Sequence, residues 1–266
     1  MPVPDPTLFL SGLIAGMGAG CLGGLLAGLA GLGGGVIYVP LFLIALSGRN
    51  APLALPIFAS LVAVAMTSWL SARSHWRLGH IDLATLRRLA PSLIAGAILG
   101  LWFTLHTPDI LMLLFLGLLN TWLAWDCGQK REPSPKACSS WLGLPIGYIS
   151  ASLGIGGGTM LIPLLRRHLE LRQAVGTTTA CTLTMVPVTI GVNLLLEPAW
   201  RALLAQHAPF LFGAWLGLVL VASHMAKFGA SLHKRYDEKT IRALMRILYA
   251  TLAMLWFAAA VERISG

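Results

Sequence analysis

Apolar runs separated by charged or Pro/Gly-rich breaks fall at 8–30, 36–47, 52–71, 89–105 and 110–126, and again at 141–153, 159–165, 174–196, 208–226 and 241–261. A helix needs about 20 apolar residues to cross a bilayer. The last three runs of each half are therefore read as crossing helices, and the first two of each half as a shorter, broken pair. Between the halves only 127–140, CGQKREPSPKACSS, reads as a polar linker. The expected organisation is a first repeat over 1–126, a cytoplasmic linker over 127–140 and a second repeat over 141–266, all-α and polytopic.

The halves share more than their segment count. GLGGGVIYVPL (31–41) superposes on GIGGGTMLIPL (154–164) residue for residue, Gly31 on Gly154 and Pro40 on Pro163. At the same register Arg49-Asn50-Ala51 meets Arg172-Gln173-Ala174, so the chain is an internal duplication. Sixteen of the 19 Lys and Arg lie in 71–90, 127–140, 166–173 and 227–246. Cytoplasmic loops collect such residues, which places those four regions inside. The basic loop follows the third segment of the first half but the fourth of the second, so equivalent loops face opposite sides. That is the charge signature of inverted-topology repeats, in which a substrate sits between the halves near the bilayer midplane.

An odd number of crossings per half requires each short pair to cross an even number of times, which a re-entrant pair does. In the second half Thr159 to Leu165 spans only about 10 Å of helix before Arg166 and Arg167, which puts the turn at 154–158 inside the membrane. In the first half the run 8–30 is long enough to span fully, leaving that hairpin either re-entrant or spanning.

Composition removes most other function classes. With 56% hydrophobic residues and 11% charged ones, and a mean hydropathy of +0.77, the chain is far from the soluble norm of about 25% charge. A soluble enzyme, a disordered regulator and a nucleic-acid binder are excluded, despite a net charge of +9. Cys21, Cys127, Cys138 and Cys181 have no CxxC spacing, so neither a metal site nor a disulfide framework is expected, and no cofactor is needed. No Lys or Arg precedes the first apolar run, so no secretory signal is expected.

Irregular backbone at membrane depth must be buried in protein or line a polar cavity. Gly31, Gly33, Gly34 and Gly35 with Pro40, and Gly154, Gly156, Gly157 and Gly158 with Pro163, therefore mark a candidate binding cavity. Each glycine cluster precedes a short helix, whose free N–H groups and positive dipole end suit an anion. The spans contain no central carboxylate to serve a cation. Their polar groups are chiefly hydroxyls and amides, with Thr177 and Thr178 beside the second motif the leading candidates for oxyanion contacts. Arg49 and Arg172, equivalent in the repeat and on opposite faces, are candidates for drawing an anion towards each vestibule. The expected partners are a small anionic substrate and the lipid bilayer, with self-association left open.

These residues resemble the sulfite exporter TauE/SafE family of bacterial membrane transporters over essentially the whole chain. The resemblance rests on the doubled GxGGGxxxxP pattern, Gly31 to Pro40 and Gly154 to Pro163, and on Arg172-Gln173-Ala174-Val175-Gly176-Thr177. It implies movement of small sulfur-containing anions, such as sulfite or organosulfonates, across the cytoplasmic (inner or plasma) membrane, commonly outward, and no covalent chemistry is expected. Ala51-Pro52-Leu53-Ala54 departs from the family's pattern in the first half. Two alternatives are a non-transporting membrane scaffold and an intramembrane hydrolase using Ser150 or Ser152. The second lacks a GxSxG context, and the seven histidines lie in loops or near segment ends.

Overall fold

The computed structural model describes residues 6–30, 34–47, 49, 51–126, 139–233 and 238–265. Among these it is all-helical: α1 (Pro6–Ala30), α2 (Gly35–Ala45), α3 (Ala54–Arg77), α4 (Leu83–His106), α5 (Asp109–Asp126), α6 (Gly143–Ser152), α7 (Gly158–Leu165), α8 (Leu171–Leu196), α9 (Pro198–Gln206), α10 (Ala208–His233) and α11 (Glu238–Ser265), with one 3-10 turn at Ser140–Leu142. Seven helices, α1, α3, α4, α5, α8, α10 and α11, are long and apolar enough to cross a membrane.

All ten apolar runs are helices, but three features differ from expectation. The basic stretch 71–90 is mostly helix, since α3 continues to Arg77 and α4 starts at Leu83. Arginine stems can carry their charge beyond the hydrocarbon while the helix continues. Asp82 starts α4 by capping it, its carboxylate accepting from the Ala84 N–H at 3.1 Å and the Thr85 hydroxyl at 2.6 Å. The stretch 227–246 is likewise mostly helical, belonging to α10 and α11. Finally, the short helix α9 stands where a loop was expected, opened by Pro198 in its first turn, where a missing N–H costs nothing. The first short pair is also unlike the second, because α1 has 25 residues and α6 only 10.

Small residues let the backbones meet where lipid supplies no hydrophobic drive. Gly12, Gly16, Gly20 and Gly24, one per turn of α1, lie against the Phe210, Ala214, Leu218 and Ala222 backbone of α10. Gly213, Gly217 and Gly229 return the contact to Phe9, Leu13 and Leu25, so the two helices run parallel. In the same way α6 lies parallel to α4, Gly143 and Gly147 against Leu89 and Leu93, and Gly96 and Gly100 against Leu144 and Tyr148. The first helix of each half is therefore packed on a helix of the other.

Three cores result. One joins α1, α2, α3 and α10 through Tyr38, Phe42, Ala59 and Phe210. A second joins α3, α4, α6, α7, α8 and α9 through Phe58, Leu93, Met185 and Trp200. The third pairs α5 with α11 and reaches the residues around Ile155. α5 and α11 are antiparallel: Asp109 at the head of α5 pairs with Arg263 near the end of α11, and Gly117 meets Phe257.

Candidate functional site

The second glycine turn closes helix α6 in a defined way. Gly154 adopts φ +67°, which favours glycine, and its N–H donates to the Ala151 carbonyl, while the Ile155 N–H reaches the Ser150 carbonyl at 3.1 Å. These two bonds form a Schellman cap, which satisfies the last carbonyls of α6 in the interior. Gly156, at φ +72°, then redirects the chain into α7. The N–H groups of Gly157, Gly158 and Thr159 at the head of α7 have no acceptor among the described residues.

The two motifs meet. A Cβ on Gly35 would fall onto the Ile155 backbone, so only glycine permits this approach. Between them the buried Ser60 hydroxyl lies 2.6 Å from the Gly154 carbonyl and 3.4 Å from that of Gly35. Of the remaining motif residues, Gly31 and Gly33 lie outside the described residues. Pro40 is buried within α2 and Pro163 half-buried within α7. Each lacks an N–H, which leaves one carbonyl a turn earlier without its helical donor.

Beside the joined turns lies a cavity of about 540 Å³. One wall is α3, contributing Thr67, Ser68, Ser71, Ser74 and His75, and the facing wall is α8, contributing Val175, Thr178, Thr179 and Thr182. Gly34 and Gly158 reach it from the two motifs, Gly24 and Gly28 from α1, and Ser223 and Lys227 from α10. Thr67 and Thr179 spend their hydroxyls on their own helices. Ser68, Ser71, Ser74, Thr178 and Thr182 keep theirs without a partner among the described residues. Thr178 is 1% exposed, and a buried hydroxyl without a partner is costly unless something fills the role. No Asp or Glu among the described residues lines the cavity; its ionisable lining groups are Lys227, His75 and the Tyr38 phenol.

Of the residues singled out from sequence, Gly34, Gly158 and Thr178 line the cavity. Gly154 and Gly156 shape the second turn behind it, and Gly35 begins α2 against that turn. Gly157 sits just outside, where an added Cβ would come within 2.9 Å of the Thr182 hydroxyl. Thr177 is turned away: its hydroxyl accepts the Asp82 N–H at 2.9 Å and so docks the α3–α4 turn on α8. Arg49, in the turn after α2, and Arg172, exposed in the first turn of α8, do not line the cavity. Ser71, Ser74, His75 and Lys227 fell in stretches read as loops. Their signal was spacing: 67, 68, 71, 74 and 75 share one face of a helix, as do 175, 178, 179 and 182.

Comparison with known proteins agrees with this architecture. The chain is 27% identical over 253 residues to a protein of Haemophilus influenzae described as "Probable membrane transporter protein", covering 90% of this chain and 95% of that one. Two proteins from strains of Xylella fastidiosa, with the same description, are each 29% identical over 167 residues, covering 59% of this chain and 63% of theirs. No solved structure matches. The family model described as Sulfite exporter TauE/SafE matches residues 16–255. With that match across a multi-pass bundle, the chain belongs to the TauE/SafE family of membrane transporters.

Proposed function

We propose that this protein carries a small oxyanion, sulfite or an organosulfonate, across the cytoplasmic membrane, holding it between the two glycine turns in the α3–α8 cavity. The observation that carries this reading is the unpartnered, buried Thr178 hydroxyl beside the free N–H groups at the head of α7, in a cavity without a carboxylate lining residue. Donors without acceptors suit a ligand that brings acceptors. Arg172 and Lys227 serve as attractors at the basic end, and Arg49 serves the opposite one.

Support for inverted repeats comes from the pairing of equivalent helices. α5 and α11 occupy corresponding places in the two halves and lie antiparallel, as a two-fold axis in the membrane plane requires. The moving bodies are not the sequence halves, however. Because α1 packs on α10 and α6 on α4, the bodies that rock are α1, α2, α3 and α10 against α4, α6, α7 and α8, with the cavity between them. A hydrolase reading has no such support: among the described residues the Ser150 hydroxyl has no partner, and that of Ser152 donates to the Ile149 carbonyl, so neither is paired there with a base.

The test is flux in proteoliposomes with sulfite, sulfate, thiosulfate, sulfoacetate, taurine and acetate. Saturable flux of one anion, weakened in Thr178→Val, is expected. Absence of flux for all of them, or an unchanged half-saturation in the variant, would remove the site assignment.

A further inference from the structure

At the mouth of the cavity the end of α3 repeats the capping geometry seen at α6. Gly79 has φ +67°, its N–H donates to the Trp76 carbonyl at 3.1 Å, and the His80 N–H donates to the His75 carbonyl at 2.9 Å. In such a cap the side chains five residues apart are brought together, and an apolar pair commonly fills that contact. Here the pair is two imidazoles, His75 and His80, with Nδ1 to Nδ1 at 3.4 Å and ring centroids 5.6 Å apart. His75 lines the cavity. The turn that carries His80 is held on α8 by its backbone, through the Asp82 N–H on Thr177 and the His80 carbonyl against Gly176.

Two facing Nδ1 atoms need one hydrogen between them, so one ring donates and the other accepts. A proton added at the far nitrogen of the donor ring strengthens that bond. A second would place hydrogens on both facing nitrogens and two positive charges in contact, which opposes its uptake.

We propose that His75 and His80 form a one-proton switch that governs anion loading: taking up a proton from the basic-side solution places a single positive charge at the cavity mouth and tightens binding of the anion. This rests on the transport reading above. The charged groups on the elements around the pair are Arg73 and Arg77 on α3, Asp82, Arg87 and Arg88 at the start of α4, Glu170 and Arg172 at the head of α8, and Lys227 on α10. Arg73 lies over the Trp69 ring, and the Asp82 oxygens are engaged in capping α4. Glu170 is exposed ahead of α8. Asp82 keeps its charge while it caps α4, so an anion in the cavity would add a counter-charge on the His75 side of the pair.

Flux would be measured with anion supplied to the basic side, at about pH 8 and about pH 6, using sulfate, thiosulfate and sulfoacetate, which keep their charge across that interval. For an anion that is carried, the half-saturation is expected to fall about fivefold or more on acidification, within the usual range for coupled sites. In His80→Gln it should change less than about twofold while saturable flux persists, because the backbone, not the ring, holds the turn. An equal pH response in His80→Gln overturns the proposal. Ring titration of carbon-13-labelled histidine decides the pair without any anion: one proton shared by the two rings is expected, and two independent protonations overturn it. If none of the anions is carried, the transport reading falls and that titration still decides the pair.

Discussion

Along the seam between α3 and α8 the two ends behave oppositely. At the basic end the helices stand apart around hydroxyls, with Ser68, Ser71 and Ser74 facing Thr178 and Thr182. At the other end the same helices close on apolar side chains, where Phe58 and Leu61 meet Met185 and Val186, and the Trp200 ring from α9 lies tilted against Phe58 with centroids 5.3 Å apart. The boundary is where Ser60 ties the second glycine turn to the head of α2. On the proposed alternating-access reading such an asymmetry is expected in any one state, and here the cavity lining extends to the basic end through Ser74, His75 and Lys227. The closed end is sealed by packing, which large-to-small substitutions should loosen, whereas the open end is specified by hydrogen-bonding groups, which isosteric substitutions should silence without loosening anything.

The largest effect is expected at the seal. Trp200→Ala removes a fully buried side chain and should cost about 3–5 kcal/mol, read as a fall in melting temperature of the detergent-solubilised protein. A cost below about 1 kcal/mol would mean that α9 does not close that end.

Next comes Thr178→Val in the open end. The shapes match and the hydroxyl has no partner to lose, so the melting temperature should hold. Losing a hydrogen bond to a charged ligand is worth about 1.5–3 kcal/mol, so half-saturation should rise roughly tenfold or more. Equal loss of stability and transport would erase the distinction between the two ends.

Ser60→Ala tests the boundary. It removes the hydroxyl shared by the two motif carbonyls, and interhelical hydrogen bonds of this kind contribute roughly 0.6–2 kcal/mol. A thermal shift of that size, with flux reduced, is expected. The smallest effect should come from Gly157→Ala, whose Cβ would press on the ends of Leu161 and Thr182 rather than on backbone. Stability should change by about 1 kcal/mol or less, with flux falling several-fold through displacement of Thr182. Gly35→Ala makes the contrast, since there the Cβ meets the Ile155 backbone and nothing can give way.

Much of the fold was legible because a bilayer imposes long apolar runs, and every such run became a helix. What escaped were places where polarity does not mark the helix end. Arg73, Arg77, Arg87 and Arg88 look like loop residues, yet their long stems allow α3 and α4 to continue past the hydrocarbon. α9 escaped because it is short and amphipathic between Pro198 and His207.

The site was legible in its frame but less so in its contacts. Repeated glycines pointed to the turn at 154–156, and Thr178, singled out from the sequence, lines the cavity. Thr177 shows the limit of adjacency: one residue along a helix turns a side chain through about 100°, which carries its hydroxyl from the cavity to Asp82. Thr67 and Ser68 lay in a run read as helix, but Ser74 and His75 beyond it were readable only by helical spacing, which the assumed loop had cut short. Pairing of α1 with α10 and of α6 with α4 was hidden because Gly12, Gly16, Gly96 and Gly147 sit outside the repeated motif, and four-residue glycine spacing announces a close contact without naming its partner.

The most direct measurement replaces Ser71 by cysteine, in a background free of the four native cysteines, and follows its modification by a membrane-impermeant thiol reagent in vesicles of known orientation. Modification from the basic side alone, slowed by a saturating concentration of the transported anion, is the expected result. Modification from the opposite side alone, or an unaltered rate with a transported anion present, would contradict the placement of that anion between α3 and α8.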